Sequence, residues 1–199
     1  MSDKGTTAFV GDSLTEGGHW HEWFPDHNAL NFGVGGDTTD DLLERMGTIV
    51  EANPSTVVVM IGTNDLAWRR TVEHVVRNIE TTLFQLRRDL PGVRLLAQSV
   101  LPRAREFADQ IQDINRHVRQ FAPSVRALYL DLWPAFARAD GEIDPRHSDD
   151  GLHLNASGYE AWRAELSAAL EVLFRMPSST KPLPIAYDEY ARPAHDPRK

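Results

Sequence analysis

The chain has 199 residues, of which 41% are hydrophobic and 25% charged, and it contains no cysteine. That composition suits one globular domain with a real core, and it excludes a disulfide framework, a thiol nucleophile and a thiolate metal site. A net charge of −8 has the wrong sign for holding a phosphate backbone, so nucleic acid is not an expected partner. The longest apolar run, 57–61, falls far short of the roughly 20 residues that a membrane-spanning helix needs. The first residues carry no apolar leader, which makes the cytoplasm the expected location.

In chain order, short apolar runs alternate with longer amphipathic stretches, the pattern of repeated strand and helix units around a parallel sheet. The spacing predicts strands over 8–11, 29–32, 56–61, 93–100 and 125–131. The third is almost wholly β-branched, so it belongs in the centre of the sheet with both faces covered and the first strand beside it. Helices are predicted over 39–52, 72–89, 106–121 and 156–174. In the last of these, Tyr159, Trp162, Leu166, Ala169, Leu170 and Leu173 recur at three-four spacing and form a core-facing stripe. Asn155 is its N-cap candidate, and Pro91-Gly92 closes the 72–89 helix. A domain over 1–176 is followed by a segment, 177–199, that Pro177, Pro182, Pro184, Pro193 and Pro197 mark as a tail.

In a parallel sheet every strand ends on one edge, and ligands bind outside those carboxyl ends. That edge collects Gly11-Asp12-Ser13-Leu14-Thr15 after the first strand and Gly33-Val34-Gly35-Gly36-Asp37-Thr38 after the second. Gly62-Thr63-Asn64-Asp65 follows the third, and Asp150-Gly151-Leu152-His153 precedes the last helix. A hydroxyl nucleophile, an imidazole base, a carboxylate to orient it and donors for a developing oxyanion are the parts that acyl transfer requires. Taken singly, each has a structural alternative. Ser13 could cap a helix, the glycines could permit a turn, Asn64 and Asp65 could start a helix, and Asp150 and His153 could be loop residues. What argues for chemistry is their joint placement on one edge. The glycine run is not a dinucleotide fingerprint, because Thr38 stands where G-x-G-x-x-G needs its third glycine.

These four blocks, in this order, resemble the SGNH (GDSL-type) hydrolases over residues 8 to 175. Asn31-Phe32-Gly33-Val34-Gly35-Gly36-Asp37-Thr38-Thr39 and Leu101-Pro102-Arg103 are similar to the branch containing the catalytic subunits of intracellular platelet-activating-factor acetylhydrolase. The resemblance implies a three-layer α/β/α, flavodoxin-like fold with a five-stranded parallel sheet in the order 2-1-3-4-5. It also implies ester hydrolysis without metal or cofactor, by a Ser13, His153 and Asp150 triad through an acyl-enzyme. The backbone of Ser13 and Gly36 and the side chain of Asn64 would form the oxyanion hole. The expected substrate is a small acyl ester with a short, acetyl-like acyl group. An acyltransferase and a non-catalytic scaffold are the competing readings. The α/β-hydrolase fold is disfavoured, since residues 11–15 lack the second glycine of G-x-S-x-G and the acid lies three residues from the base.

Leu14 and Leu152, adjacent to the nucleophile and the base, are expected to floor an acyl pocket, with Trp68, Arg69 and Arg103 as a rim. Asp12 is expected to bond to local backbone and not to react. His19, His21 and His27, with Glu22 and Asp26, match no zinc spacing; they read as an amphipathic surface segment, and no metal is expected. A homodimer is compatible with the resemblance.

Overall fold

The computed structural model describes residues 5–176, so the expected tail at 177–199 lies outside the described residues. Five parallel strands, β1 (Thr7–Gly11), β2 (Ala29–Gly33), β3 (Thr56–Met60), β4 (Arg94–Gln98) and β5 (Ala127–Leu130), form one sheet in the order β2-β1-β3-β4-β5. As its β-branched sequence predicts, β3 is central and buried along its whole length, and β1 is its neighbour. Alternation along each strand divides the core in two. Ala8, Val10, Val57, Val59, Leu95 and Ala97 face one layer, packed by α3 (Thr39–Glu44), α4 (Met46–Glu51), α6 (Val72–Asp89) and α7 (Ala108–Phe121). Phe9, Val58, Met60 and Leu96 face the other, packed by α1 (Ser13–Glu16), α2 (Trp20–Trp23), α8 (Trp133–Phe136) and α9 (Ala156–Arg175). The remaining helix, α5 (Thr63–Ala67), follows β3 directly.

The predicted stripe of α9 is the buried one: Trp162, Leu166, Ala169, Leu170 and Leu173 all lie in the core. Asn155 caps this helix by accepting the Gly158 N–H. Inside the core, Trp162 Nε1 donates to Gln98 Oε1 at 2.7 Å, so the one polar atom of the indole is satisfied where water cannot reach it.

Two helix boundaries need correction, and one histidine. The helix predicted over 39–52 is two helices, because Arg45, with φ −101° and ψ 10°, leaves helical geometry between α3 and α4. Its guanidinium donates to the carbonyls of Gly11 (3.0 Å) and Phe32 (2.9 Å) and to the Asp37 carboxylate (2.6 Å), strong bonds that offset the interrupted helix. The helix predicted over 106–121 begins as a 3₁₀ turn, Arg105–Phe107, and becomes α-helical only at Ala108. The histidine-bearing stretch is amphipathic as expected, with His19, His21, Glu22 and Asp26 exposed, and only His27 departs from the surface reading. Trp20 and Phe24 are buried, with Trp20 stacked on Phe9 at 4.2 Å between ring centroids, and His27 is buried against Thr7. Among the described residues, no group of three or more His, Cys, Asp or Glu could hold a metal ion, and no helix is long and apolar enough to cross a membrane. The short helices α1, α2, α5 and α8, of four or five residues each, escape a periodicity argument because they hold barely one turn.

Candidate active site

The carboxyl ends of β1 and β2 are level, Gly11 pairing with Gly33. The chain turns from β1 into α1 at once. Asp12 caps this helix by accepting the Leu14 N–H at 3.0 Å, and Ser13 is its first residue. Glycine is required at position 33 because a Cβ there would overlap the backbone of Thr15 and Glu16, where α1 crosses the end of β2. The expectation that Asp12 serves the local backbone agrees with its geometry. Burial pushes its carboxyl up to about 7, and the charges of Asp37 and Asp65 push the same way.

The loop after β2 approaches Ser13 from one side, since a Cβ on Gly35 would stand 3.9 Å from Ser13 Cβ. Gly36 has a left-handed φ of +84° and lies exposed beyond it. Asn64, in the first turn of α5, donates from Nδ2 to the carbonyl of Asp37 at 2.9 Å, joining the third block to the second. One of its two amide N–H groups is thereby used and the other remains to be directed elsewhere. The same loop is held from below by Arg45 and from the next helix by Asp65. The Asp65 carboxylate accepts from the Thr39 N–H at 3.0 Å and the Thr39 hydroxyl at 2.6 Å, and burial raises its pKa.

The last block arrives from the other side of α1. The Tyr159 hydroxyl on α9 donates to the Leu14 carbonyl at 2.9 Å, which docks the start of α9, and with it the end of the Asp150–His153 turn, against the helix that carries Ser13. Within that turn the Asp150 Oδ2 lies 2.8 Å from His153 Nδ1. A carboxylate can only accept, so Nδ1 carries the proton and Nε2 presents its lone pair outward. Asp150 Oδ1 also accepts the backbone N–H groups of Leu152 (2.9 Å) and His153 (2.7 Å). The bond from His153 and these two backbone donors hold the Asp150 carboxyl well below the usual carboxylate range. Both side chains are about half exposed, at 55% and 53%. Among the described residues, no hydrogen bond joins Ser13 to His153.

The expected pocket residues divide. Leu152 is half-buried beside His153, whereas Leu14 is 2% exposed and belongs to the core under α1. Trp68 is 72% exposed at the end of α5. Arg69 lines a separate groove between α6 and α7 that also carries Arg77, Glu80, Arg116 and His117. Arg103 is drawn back into the structure, donating to the Thr63 carbonyl at 2.9 Å with its guanidinium 4.3 Å from the Phe107 ring centre. Sequence reasoning missed Arg45, Asp37 and Tyr159 as supports. The available signal for Arg45 was a cation three residues after Leu42, beside a stripe continued by Met46 and Ile49, and the signal for Tyr159 was a hydroxyl at the first core-facing position of α9.

A five-stranded parallel sheet in this order, with a serine, a paired aspartate and histidine, and an asparagine gathered at its carboxyl edge, defines a hydrolase class. The chain belongs to the GDSL-like lipase/acylhydrolase family, whose model matches residues 9–161, and it is thus a carboxylic ester hydrolase. It is 34% identical to platelet-activating factor acetylhydrolase IB subunit alpha1 of Rattus norvegicus over 89% of this chain and 80% of that protein. It is 33% identical to the alpha2 subunit from the same organism, over 76% and 69%. Among solved structures, a GDSL-like lipase from Bacteroides thetaiotaomicron superposes with a TM-score of 0.75 at 23% identity, covering 86% of this chain and 92% of that one. An acetylxylan esterase from Geobacillus stearothermophilus, solved as a catalytic mutant, has the same fold, with a TM-score of 0.65, 16% identity and coverage of 85% and 95%.

Proposed function

We propose that the protein is a serine esterase for short-chain acyl esters, with Ser13 as nucleophile, His153 as general base and Asp150 as the residue that orients and stabilises the imidazolium. The observation that carries this reading is the pairing of Asp150 with His153 Nδ1, which leaves Nε2 as the acceptor, on the turn before the helix that Tyr159 fastens to α1. Ser13 Oγ would attack the ester carbonyl while its proton passes to Nε2. Collapse of the tetrahedral intermediate would expel the alkoxide, which takes that proton, and water would then release the acid by the same path in reverse. The bond from Ser13 to His153 would form as substrate enters, as catalytic hydrogen bonds tighten in the Michaelis complex.

The oxyanion would be met by the N–H groups of Ser13 and Gly36 and by the second N–H of Asn64; one such donor contributes about 3 to 4 kcal/mol of transition-state stabilisation. A short acyl group is supported by the relatives named acetylhydrolases. The test is hydrolysis of p-nitrophenyl esters from acetate to decanoate by wild type and Ser13→Ala, with intact mass measured after a serine-directed phosphonate. A single adduct lost in Ser13→Ala and fastest turnover on acetate are expected; a folded protein with neither turnover nor adduct would overturn the proposal.

A further inference from the structure

A groove of ≈ 390 Å³, within the size range of small-ligand sites, begins where α1 ends and runs along the first two turns of α9. Its walls are Gly17, Trp23, Ala156 and Tyr159, with His19 stacked on Trp23 at its rim and Glu160 and Arg163 further along α9. Trp23 is fixed edge-on to the buried Trp20, 5.2 Å between ring centroids, and meets Tyr159 at 5.6 Å, so the apolar walls are preformed. Glycine at 17 lets α1 approach α9 closely, because a Cβ there would run into the Tyr159 hydroxyl, which closes the inner end of the groove.

Its position relative to the catalytic residues identifies its occupant. Ser13 lies one helical turn from Gly17, whose N–H donates to the Ser13 carbonyl at 3.0 Å, and His153 lies three residues before Ala156. The oxyanion loop lies on the opposite flank of α1, where Glu16 meets Gly35. In ester hydrolysis the imidazolium must hand its proton to the departing alkoxide, so the alcohol part of the ester leaves on the histidine flank and the carbonyl oxygen lies on the other. Building on the esterase reading above, we propose that this groove is the subsite for an apolar alkoxy group, and that the enzyme's substrates are acyl esters of medium-length aliphatic alcohols. From Ala156 to Arg163 the helix rises roughly 10 Å at 1.5 Å per residue, about the length of a hexyl to octyl chain, before the charged pair is reached.

The experiment is a series of alkyl acetates from methyl to octyl, used below their aggregation concentrations, with kcat/KM measured for wild type, Ala156→Trp and Trp23→Ala. Ala156 is exposed at the start of α9, so a tryptophan there fills the groove without entering the core. Alcohol acidity is nearly constant across the longer esters, and the ratio of octyl to methyl acetate removes any general loss of active protein. The expected ratio is about tenfold or more in wild type, from burial of successive methylenes, falling towards one in both variants. A flat series in wild type, or a steep one that survives Ala156→Trp, would overturn the subsite. So would an Ala156→Trp variant that instead changes the acyl-length series, since the groove would then hold the acyl chain. Loss of all ester hydrolysis, with no phosphonate adduct on Ser13 in the wild type, would overturn the esterase reading and the subsite with it; turnover with a flat alcohol series overturns the subsite alone.

Discussion

Asp150 holds His153 at two points, its Oδ2 2.8 Å from the imidazole Nδ1 and its Oδ1 accepting the backbone N–H of the same residue at 2.7 Å. Ring and backbone are thus tied to one carboxylate, which sets both the tautomer and the direction of Nε2.

Asp150→Asn keeps the size of the side chain and an oxygen for the backbone donors but removes the charge that selects the tautomer. The expected result is a fall in kcat of about a thousandfold or more with the thermal midpoint nearly unchanged, read by p-nitrophenyl acetate turnover beside a melting curve. The pH dependence has a definite sign. Because the carboxyl is held below its usual range, Asp150 stays ionised as pH falls through the region where free carboxylates protonate. It therefore adds no second acid limb to the kcat profile. Its share of stability is present above the unfolded value and disappears only as pH falls through the depressed folded one; at half exposure that share is small.

Asn64→Ala removes a donor from the proposed oxyanion hole and is expected to lower kcat on the order of a hundredfold. Arg45→Met leaves the carboxylate of Asp37, only 12% exposed, without its partner and loosens the carbonyl that Asn64 binds. A drop of roughly tenfold in kcat with little change in KM is expected, as for an interaction made in the transition state. Because Arg45 acts through Asp37 and Asn64, the double variant should lose less than the product of the two single losses. Multiplying losses would show that Arg45 contributes by another route.

Asp12 gives a stability prediction of opposite sign to that of Asp150. Its folded pKa of about 7 lies above the unfolded value, so between about pH 4 and 7 the native state binds more protons than the unfolded one, and stability falls as pH rises through that window. Asp12→Asn, which retains an oxygen to cap Leu14, should abolish that slope and raise the melting temperature above pH 7. Melting curves from pH 4 to 9 decide the matter, and a slope unchanged in the variant would place the titrating group elsewhere.

Two glycines of the same loop should respond differently to alanine. At Gly33 the added Cβ meets the backbone of α1, which cannot yield without moving Ser13, so a loss of about 1–3 kcal/mol with a parallel loss of activity is expected. At Gly36 no atom lies within 4 Å of the new Cβ, and only its left-handed backbone is penalised. The expected stability loss is about 1–2 kcal/mol, measured for both by urea unfolding.

Much of the fold was legible because its signals are local. The β-branched run at 56–60 declared a central strand, the three-four stripe from Tyr159 to Leu173 declared which face of α9 is buried, and Asn155 announced where that helix starts. For the candidate site, the shared edge of a parallel sheet pointed to the blocks, whereas the roles of the individual residues were implied by the family resemblance. Arg45 shows where this reasoning stops. Within 39–52 it passes for an ordinary helical residue, and its break in the helix follows from carbonyls of Gly11 and Phe32, which are distant in sequence and meet only once β1 and β2 are paired. Arg103 reads as a rim cation and instead turns inward to Thr63.

By itself the sequence determined the alternation of strands and helices, the central place of β3 and the residue kinds at the carboxyl edge, because periodicity and turn chemistry act over a few neighbouring residues. Tertiary structure alone decided which polar atoms meet, how Tyr159 anchors the helix of Ser13, and that α1 and α9 leave an aromatic groove on the histidine flank. Those outcomes depend on the distance between elements more than a hundred residues apart, which the packing of the sheet and its two helical layers sets.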